Sequence, residues 1–298
     1  LHKGEGVQKN DEEANRYYKM AMEKGNYSAT THYAYALLNG LGTKANIQEA
    51  VRLYKAAADN GRLVATFTYA EMLDKVKNGV PVNKSEAARY YKMAIDQGYE
   101  YAMKNYADML RIGDGIPVDK LQALQYYKMA ADKDNSDAMN CYAYMYDKGE
   151  GVQRDKYIAA EYYIKAVHAE NYEAMNNYAN FILSEPAPDD FITGAAKLYK
   201  KAADHGIVDA MNSYADMARS GKGISVDKKD AISYYQKAIK KGNVQAMYSY
   251  ACMLLDGEGV DADKKEAINY FKMAADNGHQ KAMEEYTRLT TSKCCYLI

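Results

Sequence analysis

The chain has 298 residues, 48% apolar and 27% charged, a balance that belongs to a folded chain and excludes a disordered one. Its 39 basic and 40 acidic residues are spread along the whole length and leave a net charge of −1, which offers no electrostatic footprint for a nucleic-acid backbone. Four prolines, no tryptophan and 31 tyrosines suit helices packed against one another.

The N-terminus carries neither a starting methionine nor an apolar signal core. Its first segment, Lys3-Gly4-Glu5-Gly6-Val7, has the composition of a loop between two helices. The expectation is a chain that begins part-way through a longer protein. From there the sequence repeats itself. Tyr-Tyr-Lys-Met-Ala occurs at Tyr17–Ala21, Tyr90–Ala94 and Tyr126–Ala130, with variants starting at Leu53, Tyr162, Leu198, Tyr234 and Tyr270. The step is 36 residues, with one interval of 37. A second series keeps the same step: Ala29, Ala65, Ala102, Ala138, Ala174, Ala210, Ala246 and Ala282.

Inside each copy the apolar spacing is helical. Ala231, Tyr234, Tyr235 and Ala238 fall on one stripe, and Ala246, Tyr250, Met253 and Leu254 on the next. A short polar side chain stands where the later helix of each pair must begin: Asn10, Asn46, Asn83, Asp119, Asp155, Asp227 and Asp263. Glu13, Glu86 and Glu266 follow three residues later, as in a capping box. Glycine closes the same helix at Gly25, Gly61, Gly98, Gly206, Gly242 and Gly278. Between the helices of a pair runs Gly-x-Gly-Val/Ile, as at Gly113–Ile116, Gly149–Val152, Gly221–Ile224 and Gly257–Val260. These glycines follow a helix rather than a strand, so they serve chain reversal and not phosphate binding.

With these residues in place, the pattern Ala-x-x-x-Tyr-Ala…Gly-x-Gly-Val…Asp-x-x-x-Ala-x-x-Tyr-Tyr-x-x-Ala-Ala…Gly resembles the Sel1-like repeat family, a relative of the tetratricopeptide repeat. The resemblance runs from about Gly4 to Leu289. Where the family carries Leu-Gly in its first helix, this chain has Tyr-Ala, as at Tyr142-Ala143 and Tyr214-Ala215; alanine is small enough to keep the helix crossing close. The fifth copy replaces its glycine loop by residues 184–190, which hold Pro186 and Pro188, a rebuilt corner and a candidate landmark for a partner. The fold expected is an all-α, right-handed superhelical solenoid of about eight helix-turn-helix repeats, with the solenoid over residues 1–289 and a tail over 290–298. The last repeat lacks its second helix, so its apolar face needs a cover.

A superhelix offers a concave groove lined by the first helix of each pair. On the helix opening at Ala138, the core takes Ala138, Met139, Tyr142, Ala143 and Tyr146, and the next arc carries Asn140, Tyr144 and Asp147. The equivalent groove positions are Thr31 and Tyr35, Phe67 and Glu71, Lys104 and Asp108, Asn176 and Asn180, Asn212 and Asp216, Tyr248 and Cys252, and Glu284 and Arg288. Asn140, Asn176 and Asn212 form a ladder of carboxamides able to bond an extended peptide backbone, with Phe67, Tyr144 and Tyr248 as aromatic walls. The alternative leaves these asparagines solvated or bonded within the helix surface.

An enzyme is not expected. His2, His32, His168, His205 and His279 share no repeat position, no cysteine stands at metal-ligand spacing to them, and no nucleophile motif is present; no metal or cofactor is implied. Cys141, Cys252, Cys294 and Cys295 are too irregular for a disulfide framework and read as free thiols of a reducing cytoplasm. No apolar run reaches the length of a membrane span. The C-terminus fits Cys-a-a-X, with Cys295 as prenyl acceptor and Cys294 as a second acylation candidate for a membrane tether; the other reading is a short tail with two incidental thiols. What the resemblance implies is a non-catalytic cytoplasmic scaffold or adaptor binding a peptide or folded protein. The alternative is the regulatory repeat region of a larger enzyme, such as a signalling kinase, with its catalytic domain upstream of Leu1.

Overall fold

The computed structural model describes residues 9–75 and 79–291, and every regular element among them is an α-helix. The helices fall into two compact units that divide at Asp155. In the first unit they are α1 (Asp11–Glu23), α2 (Tyr27–Asn39), α3 (Ile47–Asp59), α4 (Leu63–Asp74), α5 (Lys84–Asp96), α6 (Tyr101–Ile112), α7 (Lys120–Ala131) and α8 (Ser136–Lys148). In the second they are α9 (Lys156–His168), α10 (Tyr172–Leu183), α11 (Asp189–Asp204), α12 (Val208–Ser220), α13 (Lys228–Lys240), α14 (Val244–Asp256), α15 (Lys264–Asp276) and α16 (Gln280–Thr291). The predicted helix-pair solenoid is therefore present as an all-α repeat within each unit, each helix packing on the next in the chain.

Alanine sets how closely the helices pack. Ala34, Ala70, Ala107, Ala143, Ala179, Ala215 and Ala251, the alanines of the Tyr-Ala pairs, are fully buried, as are Ala65, Ala102, Ala138, Ala174, Ala210, Ala246 and Ala282. One stripe of each helix is thus nearly flat, and the neighbouring helix can lie against it. Tyrosine and methionine fill the space that remains, with Tyr235, Met253, Leu254 and Phe271 enclosed in the core of the second unit.

The helix starts follow the expected polar residues. The side chains of Asn10, Asn46, Asn83, Asp119, Asp227 and Asp263 each accept the backbone N–H three residues on. The capping-box expectation is not met in its reciprocal half. The backbone N–H groups of Asn83 and Asp263 donate to the carbonyls of Leu73 and Leu254 at 2.9 Å, which belong to the preceding helix. The Glu86 carboxylate instead accepts from the Asn83 side-chain amide at 3.1 Å and from the Tyr69 hydroxyl at 3.5 Å. A further set of caps was not anticipated: Asn26, Asn135, Asn171 and Asn243 start the first helix of their pairs by accepting the N–H of Ala29, Ala138, Ala174 and Ala246.

The two glycines of each Gly-x-Gly loop do different work. Gly113 ends α6 in the left-handed conformation (φ 77°). Gly115 (φ 81°) lies where the loop crosses the start of the previous second helix, and a Cβ there would sit 2.6 Å from the Lys84 carbonyl carbon and 2.8 Å from the Ser85 nitrogen. Gly98 (φ 88°), which closes α5, has open space around its missing Cβ. Gly115→Ala is accordingly expected to cost well over 2 kcal/mol, the left-handed strain of about 1–2 kcal/mol joined by overpacking of about 1–3 kcal/mol. Gly98→Ala should cost only the strain; urea unfolding of the two variants compares them.

Candidate functional site

The predicted groove positions lie on α2, α4, α6 and α8 in the first unit and on α10, α12, α14 and α16 in the second. The second helix of the same pair supplies a partner to Phe67, Asp108, Asn180, Asp216 and Tyr248.

In three of the groove pairs the second position accepts a hydrogen bond from a buried tyrosine. The Tyr127 hydroxyl donates to Asp108 Oδ1 at 2.5 Å, and the Tyr199 hydroxyl to Asn180 Oδ1 at 2.6 Å. The Tyr235 hydroxyl donates to Asp216 Oδ1. All three pairs are separated by 19 residues. Counted the same way, Phe271, which has no hydroxyl to satisfy, pairs with Cys252, and Tyr54 pairs with Tyr35. A polar side chain that the sequence assigns to a partner is thus first an acceptor within the repeat. The signal was present in the sequence: an Asp or Asn 19 residues before a stripe tyrosine, and none before Phe271.

The surroundings tune the charges. Lys104 pairs with Asp108 across 2.8 Å; burial opposes its charge, but Asp108 more than offsets this, and the ammonium pKa lies above its ordinary value. Beside them, burial and then the Asp108 charge push the Cys141 thiol up to about 11, so it stays protonated at neutral pH. Burial raises the Asp216 carboxyl pKa from its ordinary value, against the pull of its bond to Tyr235.

The aromatic positions are also engaged. Phe67 packs on Tyr99 with ring centroids 4.9 Å apart, and Tyr248 stacks on His279 at 4.5 Å. Tyr144 lies 5.8 Å from both Arg111 and Lys148. The carboxamides divide. Asn212 Nδ2 donates to Asp216 Oδ2 at 3.1 Å, while Asn212 Oδ1, like Asn176 Oδ1, is buried with no hydrogen-bond partner among the described residues. Asn140 is half-buried on α8.

Two further expectations need restating. Asp147 does not join the groove arc: it is 3% exposed and held by Lys148 Nζ at 2.7 Å and by Arg154 Nε bonding its carbonyl at 2.7 Å. Met145 fills the core position that the helical spacing gave to Tyr146, which is only half-buried. At the rebuilt corner, Pro188 precedes α11, which at 16 residues is longer than its counterparts, and Phe191 stands exposed beside a cavity of about 460 Å³. Cys294 and Cys295 lie outside the described residues. Among the described residues no cluster of three or more His, Cys, Asp or Glu could hold a metal, and no helix is long and apolar enough to cross a membrane.

The family model of the Sel1 repeat matches residues 1–26, 28–61, 76–99, 100–135, 136–171, 173–207, 208–243 and 244–279. Among solved structures, the chain is similar to a Sel1 repeat protein from Oxalobacter formigenes, with TM-score 0.71 and 25% identity over 83% of this chain and 71% of that one. It is also similar to a protective antigen of uropathogenic Escherichia coli strains with an SLR fold, with TM-score 0.60 and 24% identity over 98% of this chain and 70% of that one. No curated protein matches it in sequence.

The tyrosine pairs make two expectations. Tyr235→Phe removes a bond to a carboxylate and should cost about 1.5–3 kcal/mol, whereas Tyr54→Phe removes a hydroxyl that bonds nothing among the described residues and should leave the urea midpoint nearly unchanged. Burial pushes Tyr54 and Tyr199 up to about 12 from 10.0. Folded tyrosines therefore hold protons that unfolded ones release, so this stabilisation is complete below pH 10 and lost as pH rises through about 12. Phenolate absorbance and helical circular dichroism, followed together in alkaline titration, should change in one late step.

Proposed function

The chain belongs to the Sel1 repeat family, whose tetratricopeptide-like fold is typical of protein–protein interaction scaffolds, and on that premise we propose that it is a non-catalytic scaffold holding an extended peptide segment of a partner protein. The segment runs along the exposed face of the first helices. The observation that carries this reading is the pair of buried, unpartnered carboxamide oxygens, Asn176 Oδ1 and Asn212 Oδ1, at one repeat position of the second unit. A buried acceptor without a donor is costly and uncommon. Small rotations of the two side chains would offer these oxygens to the backbone N–H groups of an extended strand, which carry affinity without regard to sequence.

The other groove residues have narrower parts in this proposal. Asp108, Asn180 and Asp216 hold tyrosines and keep only their outer lone pairs for a ligand. Lys104 is tied to Asp108, so its charge is largely spent. Phe67, Tyr144 and Tyr248 present ring edges and faces beside the helices and supply apolar walls for alternate side chains of the peptide. Asn140 repeats the carboxamide position in the first unit.

The test is retention of a degenerate peptide library on the immobilised chain and on the Asn140→Ala, Asn176→Ala, Asn212→Ala variant, with circular dichroism confirming that both are folded. The expected outcome is at least about a tenfold loss of retained peptide, equal to about 1.4 kcal/mol. Equal retention by a folded variant refutes the carboxamide ladder as the binding element.

A further inference from the structure

We propose that the cavity between α2 and α4 is a carboxylate-recognition site that takes an Asp or Glu side chain of a partner peptide. The proposal deepens the peptide-holding reading and rests on it.

Its first support is a missing rung. Tyr127, Tyr199 and Tyr235 each give their hydroxyl to a side-chain oxygen 19 residues upstream. Tyr54 occupies the same repeat position and is 2% exposed, but the residue 19 positions upstream is Tyr35, itself 48% exposed. The Tyr54 hydroxyl makes no hydrogen bond among the described residues. It is also not one of the sealed, partnerless atoms, so what little surface Tyr54 has includes this oxygen. Tyr54 lines a cavity of about 610 Å³. In the equivalent rungs the oxygen that fills this place belongs to a carboxylate at Asp108 and Asp216 and to a carboxamide at Asn180.

The cavity supplies the rest of an acid's requirements. Arg62 lines it, and its guanidinium makes no ion pair or hydrogen bond among the described residues. Arg62 also stands at the start of α4, where Asn26, Asn135, Asn171 and Asn243 cap their helices, and it gives the first-turn amides no side-chain acceptor. The positive end of the α4 dipole therefore reaches the cavity uncompensated. No Asp or Glu is among the lining residues. A carboxylate set here would accept from Tyr54 and pair with Arg62, completing the rung from outside the chain.

The volume and walls favour an acid carried on a peptide over a free anion. Leu38, Leu63 and Val64 line the same cavity, and Val64 is 57% exposed, which gives apolar flanking residues a surface to cover. Thr31 and Tyr35, two predicted groove positions, lie on its rim and join the cavity to the face on which the peptide runs.

The experiment uses the full chain, immobilised, and two soluble peptide libraries with degenerate flanks, one with a fixed central Glu and one with a fixed central Gln. The Glu library should be retained about tenfold better, equal to about 1.4 kcal/mol. Arg62→Gln and Tyr54→Phe should each bring the ratio close to one while Gln-library retention stays as in the parent chain. Tyr35→Asp should do the same with Arg62 and Tyr54 intact, because it restores the rung from within, and it should raise the melting temperature. A parent ratio of one, or a ratio that survives all three substitutions, overturns the acid site and leaves the peptide-holding reading standing. Retention of neither library overturns both.

Discussion

A phenol buried between two helices is costly unless its hydroxyl finds an acceptor, and for Tyr127, Tyr199 and Tyr235 that acceptor is a side chain of the first helix, 19 residues earlier. That requirement ties the second helix of a pair to the first through a polar bond inside an otherwise apolar contact. Apolar packing alone tolerates sliding, since alanine stripes are nearly featureless. A short hydrogen bond, 2.5 Å to Asp108 and 2.6 Å to Asn180, does not, because it weakens steeply with distance and angle. Tyr127, Tyr199 and Tyr235 therefore set register as well as filling volume.

The same economy governs the loops and helix starts. One glycine of each Gly-x-Gly turns the chain in a left-handed conformation, and the other lets backbone pass over backbone. Asparagine caps the first helix in four of the pairs, Asn or Asp caps most of the second helices, and the N–H of caps such as Asn135 and Asp263 bonds back to the preceding helix. Local polar groups are satisfied between neighbouring helices, as expected of a repeat whose pieces contact only what lies next to them.

This dual use constrains how the exposed face can bind. Residues such as Asp108 and Asp216 cannot be treated as free recognition groups, since removing them also orphans a buried phenol. In the proposed peptide-holding role, recognition falls to groups with capacity to spare: the carboxamide oxygens of Asn176 and Asn212, the rims of Tyr144 and Tyr248, and the Tyr54–Arg62 cavity where the internal acceptor is absent. Departures from the repeat, rather than the repeat itself, are where this face differs from one helix pair to the next.

Much of the molecule was determined by the sequence alone. A step of 36 residues, helical spacing within it, and Asn, Asp and Gly at fixed offsets fixed the number, kind and punctuation of the helices, because these depend on neighbours a few residues apart in the chain. Which residues share an arc of one helix was legible for the same reason. What they do was not. That Asp147 is sealed by Arg154 and Lys148, that Asp108 and Asp216 serve tyrosines, that Glu86 also accepts from Tyr69, and that Tyr54 is left without an acceptor were all decided by the packing of one helix on another. Helical periodicity specifies which way a side chain points from its own axis; only the position of the neighbouring helix specifies what it meets there.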